Sequence, residues 1–244
     1  MLRDSFHGIL NSFWPIFLLS ALAVSFFGSL LFAAVSFPAG YDWRHTVMSS
    51  LASPRENPHA FRIASYGMAV SGVFLSLLAL YVRRPLRAYA PVWTFWARFF
   101  FVLGGILLTV SALITPGHHT FLGLAKAHAK LAQAAGVGFG LGMALDLPAI
   151  LRLPVRHAWI RVTALILITV PMTLYLTCRI FLPIVESFLK ASTQAALQRS
   201  ILGSLAFWEW IGSTSVYLFV ALTILLLGRQ AGSPNEVRRS GQPL

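Results

Sequence analysis

Apolar residues in this chain fall in long, nearly charge-free runs, separated by short clusters of arginine, histidine, proline and glycine. A helix needs about 20 mostly apolar residues to cross the hydrocarbon core of a bilayer. Six stretches satisfy that condition: residues 13–35, 62–82, 93–114, 127–149, 160–182 and 202–227. The pattern predicts an all-α, polytopic membrane bundle of six transmembrane helices over residues 1–228, followed by a disordered basic tail over 229–244. The first run belongs to a charge-free stretch, 8–41, preceded by Arg3, and a cleavable signal peptide is its alternative reading. Its apolar part exceeds the roughly 7 to 15 residues of a signal core, which favours an anchor.

Composition agrees with the pattern. Of 244 residues 57% are apolar and 11% are charged, against about a quarter charged in soluble domains, so the bilayer is part of this chain's solvent. The net charge of +12 comes from 19 Lys and Arg against 7 Asp and Glu. These cations punctuate the apolar runs instead of forming a stripe, which points to membrane lipids as partners and away from nucleic acid. Cys178, the single cysteine, lies inside an apolar run and reads as a small packing residue. Oligomeric state is left open.

The distribution of cations orients the bundle. With the N-terminus inside, the cytoplasmic side holds Arg3, Arg83, Arg84, Arg87, Arg98, Arg152, Arg156, Arg161, Arg229, Arg238 and Arg239, eleven in all. The other side holds eight: Arg44, Arg55, Arg62, Lys126, Lys130, Arg179, Lys190 and Arg199. Both termini are therefore expected to be cytoplasmic, in a cell membrane and most naturally a prokaryotic inner membrane. The opposite face gathers the polar chemistry. Residues 36–61 form a connection longer than a compact bundle needs, as functional loops often are. The connection around 184–196 reads either as an interfacial amphipathic helix or as a plain linker.

Several side chains carry candidate chemistry. Gly136, Gly138, Gly140 and Gly142 have no preceding strand and no phosphate-loop lysine, so they are not a nucleotide loop. Ala132, Gly136, Gly140 and Ala144 recur every four residues, a smooth stripe for close helix packing, or a groove for a lipid chain. Glu209, in FWEWIGSTS, is an ionisable group inside a span and needs a partner: a structural hydrogen bond, or a bound cation, proton or lipid hydroxyl. Asp146 is expected to pair with Arg152 or Arg161. Asp42 and His45, three apart, share a face if their segment is helical. A zinc set could be drawn from His45, His118 or His119, and His128 with Asp42 or Glu209, although no HExxH or paired CxxC spacing is present. His7, His59 and His157 read as solvated loop residues. Ser49 and Ser50 are hydroxyl candidates without a nucleophile elbow, and turn or cap chemistry is their default.

Three blocks, SSLASPRENPHAFR, AHAKLAQAAGVGFGLG and FWEWIGSTSVYLF, resemble the six-helix Frag/DRAM/Sfk group, which includes autophagy modulators, a GPI-anchor lipid-remodelling factor and uncharacterised prokaryotic relatives. The resemblance rests on Ser49, Ser50, Pro54 and Glu56 in the first outer loop, His128 opening the fourth helix, and Glu209 with Trp210 in the last. It implies a lipid-related role without a settled reaction. The basic outer loop and the histidine pair depart from the animal members. A weaker likeness links the chain to the seven-helix ceramidase and adiponectin-receptor superfamily, whose zinc hydrolases use Ser, Asp and three His; a seventh helix and a His-x3-His pair are lacking.

The leading expectation is a lipid-binding membrane protein with a polar site at the extracytoplasmic face. Arg44, Arg55, Lys126 and Lys130 would attract lipid phosphate, and the groove at Gly136 and Gly140 would hold an acyl chain. The alternative is a metal-assisted lipid hydrolase or acyl transferase. In it His45, His118 and His128 would hold zinc, with Asp42, Ser49 and Glu209 as catalytic groups. A transporter titrating Glu209 and Asp146 ranks last, because no inverted repeat is visible.

Overall fold

A computed structural model of the chain describes residues 2–38, 40–114, 120–121, 124–125, 127–153, 159, 161–163, 165–166, 168–173 and 204–231. Apart from a two-residue antiparallel ladder, in which Thr120 pairs Ala125 and Phe121 pairs Leu124, the regular structure among the described residues is helical. The first span consists of α1 (Leu2–Ala23), one π-helical turn (Val24–Gly28) and α2 (Ser29–Val35). A short 3₁₀ turn, Met48–Ala52, lies in the long connection that follows. Next come α3 (Phe61–Leu86), α4 (Pro91–Leu113) and α5 (Ala127–Leu151). A shorter apolar helix, α6 (Arg161–Thr173), and a long one, α7 (Leu205–Ala231), follow.

Among the described residues five helices are long and apolar enough to cross a membrane: Phe13–Val35, Phe61–Leu86, Pro91–Leu113, Ala127–Leu151 and Leu205–Leu227. The expected sixth span, 160–182, is described only as far as Thr173, and the connection around 184–196 lies outside the described residues. Differences at the ends have simple causes. α3 runs past the arginine pair to Leu86; Pro85, which cannot donate to the carbonyl four residues earlier, sits next to its end. Pro91 opens α4 at the position proline favours. α7 continues to Ala231, so the first residues of the expected tail are helical.

Within the most apolar part of each span only 28 to 44% of residues are buried by the chain itself. Trp14, Phe17, Leu31, Trp93, Trp96 and Phe99 are among the apolar side chains left exposed, as on helix faces that meet a bilayer. Trp93 and Trp96 lie in the first turns of α4, close in sequence to Arg83, Arg84 and Arg87, as interfacial aromatic and basic anchors do.

α4 packs between α3 and α5, and α7 closes the bundle against α1, α3 and α5. Small residues set close approaches on both sides of α4. A Cβ on Gly138 would lie 3.0 Å from the Phe100 carbonyl oxygen and 3.1 Å from Gly104 Cα. One on Gly142 would meet the Phe101 ring and, at 3.1 Å, the Ala97 carbonyl. The contact face of α5 therefore carries Gly138 and Gly142, while Ala144 of the expected packing stripe is exposed. On the other side of α4, Gly72 meets Gly105, and Thr109 Oγ1 donates across to the Ala69 carbonyl at 2.9 Å. Such close contacts let backbones touch where the hydrophobic effect gives no drive for helices to associate.

Candidate functional site

The connection over residues 36–60 is a folded cap. Leu51, Ala52 and Asn57 are fully buried in it. The Asn57 amide donates to the Ala33 carbonyl at 2.9 Å and to the Leu51 carbonyl at 3.2 Å, tying the end of the first span to the 3₁₀ turn. Tyr41 Oη donates to the Thr46 carbonyl at 2.9 Å and accepts from Trp210 Nε1 at 3.0 Å. Burial, the largest influence, pushes the Tyr41 phenol up to about 12; the nearby Glu209 and Asp42 charges add to this and the Trp210 hydrogen bond opposes it. Ser204 Oγ donates to the Arg44 carbonyl, a second link from the start of α7.

Glu209 makes the third link. Its Oε2 accepts a 2.9 Å hydrogen bond from the Met48 backbone N–H. Met48 opens the 3₁₀ turn, so the carboxylate satisfies a donor that has no partner within the turn. An intramembrane acid thus holds the cap over the bundle, as the structural reading of Glu209 expects.

Beneath the cap lies a cavity of about 140 Å³, lined by the first span, the 3₁₀ turn and α3 to α7. Ser49, Ser111 and His128 contribute polar groups from element ends or turns adjoining the cap, and Glu209, Ser213 and Tyr217 contribute them from α7. Deeper lining comes from apolar side chains such as Leu75, Phe139, Met172 and Val216. The π turn brings Phe26 into this wall, and Ser25 Oγ is 2.9 Å from Ser71 Oγ on α3. One-turn π bulges recur where a helix must re-aim side chains at a site.

His128 Nδ1 is 2.7 Å from the Ser111 carbonyl oxygen and 3.1 Å from that of Ile114. Both are carbonyls at the end of α4, where the helix leaves acceptors unsatisfied. Carbonyl oxygens only accept, so Nδ1 carries the proton, and in the neutral ring Nε2 is left as an acceptor. Ser49 Oγ has no hydrogen-bond partner among the described residues.

The candidate residues from the sequence fall into separate groups. Ser49, His128, Glu209 and Gly136 line the one cavity. Asp42 and His45 do not; they are exposed and bonded to each other, His45 Nδ1 to Asp42 Oδ2 at 2.8 Å. That bond, followed by the Arg44 backbone N–H at 3.0 Å, holds the Asp42 carboxyl below its ordinary value. Arg44, Arg55 and Lys130 are exposed and outside the lining, and Gly140 is half-buried outside it. His118, His119 and Lys126 lie outside the described residues. Among the described residues no three His, Cys, Asp or Glu side chains are grouped to hold a metal ion. Asn57 and Tyr41 were not distinguished by the sequence; no local pattern marks a loop residue whose partners are carbonyls in other elements.

Asp146 corrects one expectation. Arg152 Nη1 donates to the Tyr89 carbonyl at 3.0 Å, and Arg161 Nη1 to the carbonyls of Leu151 and Leu153. Asp146 is 8% exposed, between α3, α4 and α7, with no hydrogen bond or ion pair among the described residues. The expected arginines instead satisfy carbonyls at helix ends.

No family model matches the chain, and neither the curated proteins nor the solved structures yield a match.

Proposed function

We propose that the protein binds lipid from the outer leaflet of a prokaryotic inner membrane, with an acyl chain in the cavity beneath the cap. The observation that carries this reading is the cavity itself: largely apolar in its lining, with Ser49, His128 and Glu209 at the end next to the cap, and set in a bundle whose spans present apolar side chains outward. An empty apolar cavity of similar size in a soluble protein takes up benzene-sized ligands, so about 140 Å³ suits a short length of alkyl chain. Gly136 and Ala132 leave room in its wall where a larger side chain would fill it. Exposed Arg44, Arg55 and Lys130 around the cap would draw anionic headgroups to this face.

Mass spectrometry of the protein purified in mild detergent tests the reading. Retained lipid is expected in the wild type and reduced in Gly136→Leu. Equal lipid content in both, or none in the wild type, removes the basis for an acyl-chain site.

A further inference from the structure

We propose that Asp146 is a proton-binding site in the half of the bundle away from the cap, and that the rings of Phe101, Phe139 and Phe219 form the barrier its proton crosses to reach the cavity beneath the cap. The inference goes beyond lipid binding and does not depend on it.

His128 and Asp146 both lie on α5, about 27 Å apart along the axis at about 1.5 Å per residue. They stand toward opposite ends of the bundle. Asp146 has a small cavity of its own, about 10 Å³, with Leu78 and Val82 of α3, Phe101 of α4, and Val220 and Thr223 of α7 in its wall. The two cavities are stacked along the same helices. Leu75 and Val216 line the one beneath the cap, while Leu78 and Val220, about a turn further along, line that of Asp146. Between them lies a layer of aromatic rings. Phe139 borders the first cavity, and Phe101 and Phe219 border the second. The Phe101 ring centroid is 5.8 Å from that of Phe139 and 6.0 Å from that of Phe219, and all three side chains are buried.

The surroundings of Asp146 favour an uncharged group. It is buried, with no hydrogen bond or ion pair among the described residues. Ionised, it would be an uncompensated charge among hydrocarbon side chains; one bound proton removes that charge. On the helices of its wall the ionisable residues nearest in sequence are Tyr81 and Arg83 of α3 and Arg98 of α4, and α7 has none between Glu209 and Arg229. The Arg83 guanidinium stacks over the Phe95 ring at 5.4 Å, and Arg152 and Arg161 donate to backbone carbonyls. Thr223 Oγ1 donates to the Phe219 carbonyl at 2.8 Å, which leaves its lone pairs to accept from a further donor. The space beside the acid is about that of one water molecule, the carrier by which a buried acid exchanges its proton.

Infrared spectroscopy of the full-length protein in detergent at neutral pH tests this. The wild type should show the carbonyl stretch of a protonated carboxylic acid that Asp146→Asn and Asp146→Leu both lack. That band should shift in deuterated water, since a proton-binding site exchanges what it holds. In Phe139→Leu the shift should be several-fold faster at unchanged band intensity. An acid band no stronger in the wild type than in the two Asp146 variants means an ionised carboxylate and overturns the proposal. A band that never shifts means a permanently held proton and overturns it as well. An unchanged exchange rate in Phe139→Leu overturns the ring barrier.

Discussion

Glu209, five residues into the described start of α7 at Leu205, accepts a 2.9 Å hydrogen bond from the backbone N–H of Met48, 161 residues earlier in the chain. A carboxylate in a membrane span is costly, and here it is spent on closing a cap over a cavity that it also lines. The same side chain therefore serves stability and the site.

Replacing Glu209 by Ala should expose this dual role. The Met48 N–H would lose its acceptor, a loss of about 1–3 kcal/mol for a buried donor left unpaired. Limited proteolysis should then cut within residues 36–60 in Glu209→Ala and not in the wild type, and hydrogen exchange at Met48 should accelerate. An unchanged exchange rate at Met48 would mean that the bond contributes nothing to holding the cap.

Two glycines two residues apart should behave differently. In Gly138→Leu the new side chain meets the Phe100 carbonyl and Gly104 backbone, so α4 and α5 must separate. The expected cost is about 1–3 kcal/mol, read as a lower unfolding temperature in detergent. Gly136→Leu projects into the cavity and should lower lipid retention with a smaller effect on unfolding. Equal loss of stability in both variants would contradict the assignment of the two faces.

Stability should depend on Tyr41 at alkaline pH. Burial raises its pKa in the folded chain from 10.0 to about 12, so the folded state holds the phenolic proton more tightly than the unfolded one. That contribution is complete below pH 10 and is lost as pH rises toward about 12. Chemical unfolding of the wild type should show a falling stability across that window, and Tyr41→Phe a flatter one. Parallel profiles would remove Tyr41 as the cause. Tyr41→Phe should also be less stable at neutral pH, since it loses the bonds to Thr46 and from Trp210.

Asp146 offers a test in the opposite direction. Asp146 has no partner among the described residues, and a buried polar group in that position costs about 1–3 kcal/mol on mutational evidence. Asp146→Leu, similar in volume and set among Leu78, Val82, Phe101 and Val220, should therefore raise the unfolding temperature. A fall in that temperature would show that the carboxyl makes a stabilising contact.

The spans were legible because bilayer thickness imposes a local rule that any window of the chain can be tested against. The first, 13–35, coincides with its apolar helix, and the α3, α4 and α5 spans differ only by end residues where Pro85, Pro91 or a continued turn decides the boundary. The candidate site was legible only in part. His128 and Glu209 stood out as ionisable groups at helix ends, and both line the cavity with Ser49. Asp42 and His45 carried the same chemical promise, yet they bond to each other on the exposed side of the cap.

The sequence by itself determined how many apolar runs there are, where they lie, and that polar residues collect in the connections between them. It could not choose between the glycine faces of α5. Residues 136, 138, 140 and 142 alternate around the helix, and an apolar neighbour and an apolar lipid impose the same hydropathy on a side chain. Nor could it separate Asp146, whose expected partners Arg152 and Arg161 bond to carbonyls instead, from Glu209, bonded to a backbone N–H far away in the chain. Those outcomes depend on which helix ends meet in space. Only the tertiary structure decided that the start of α5, the end of α4, the start of α7 and one 3₁₀ turn would close around a single cavity.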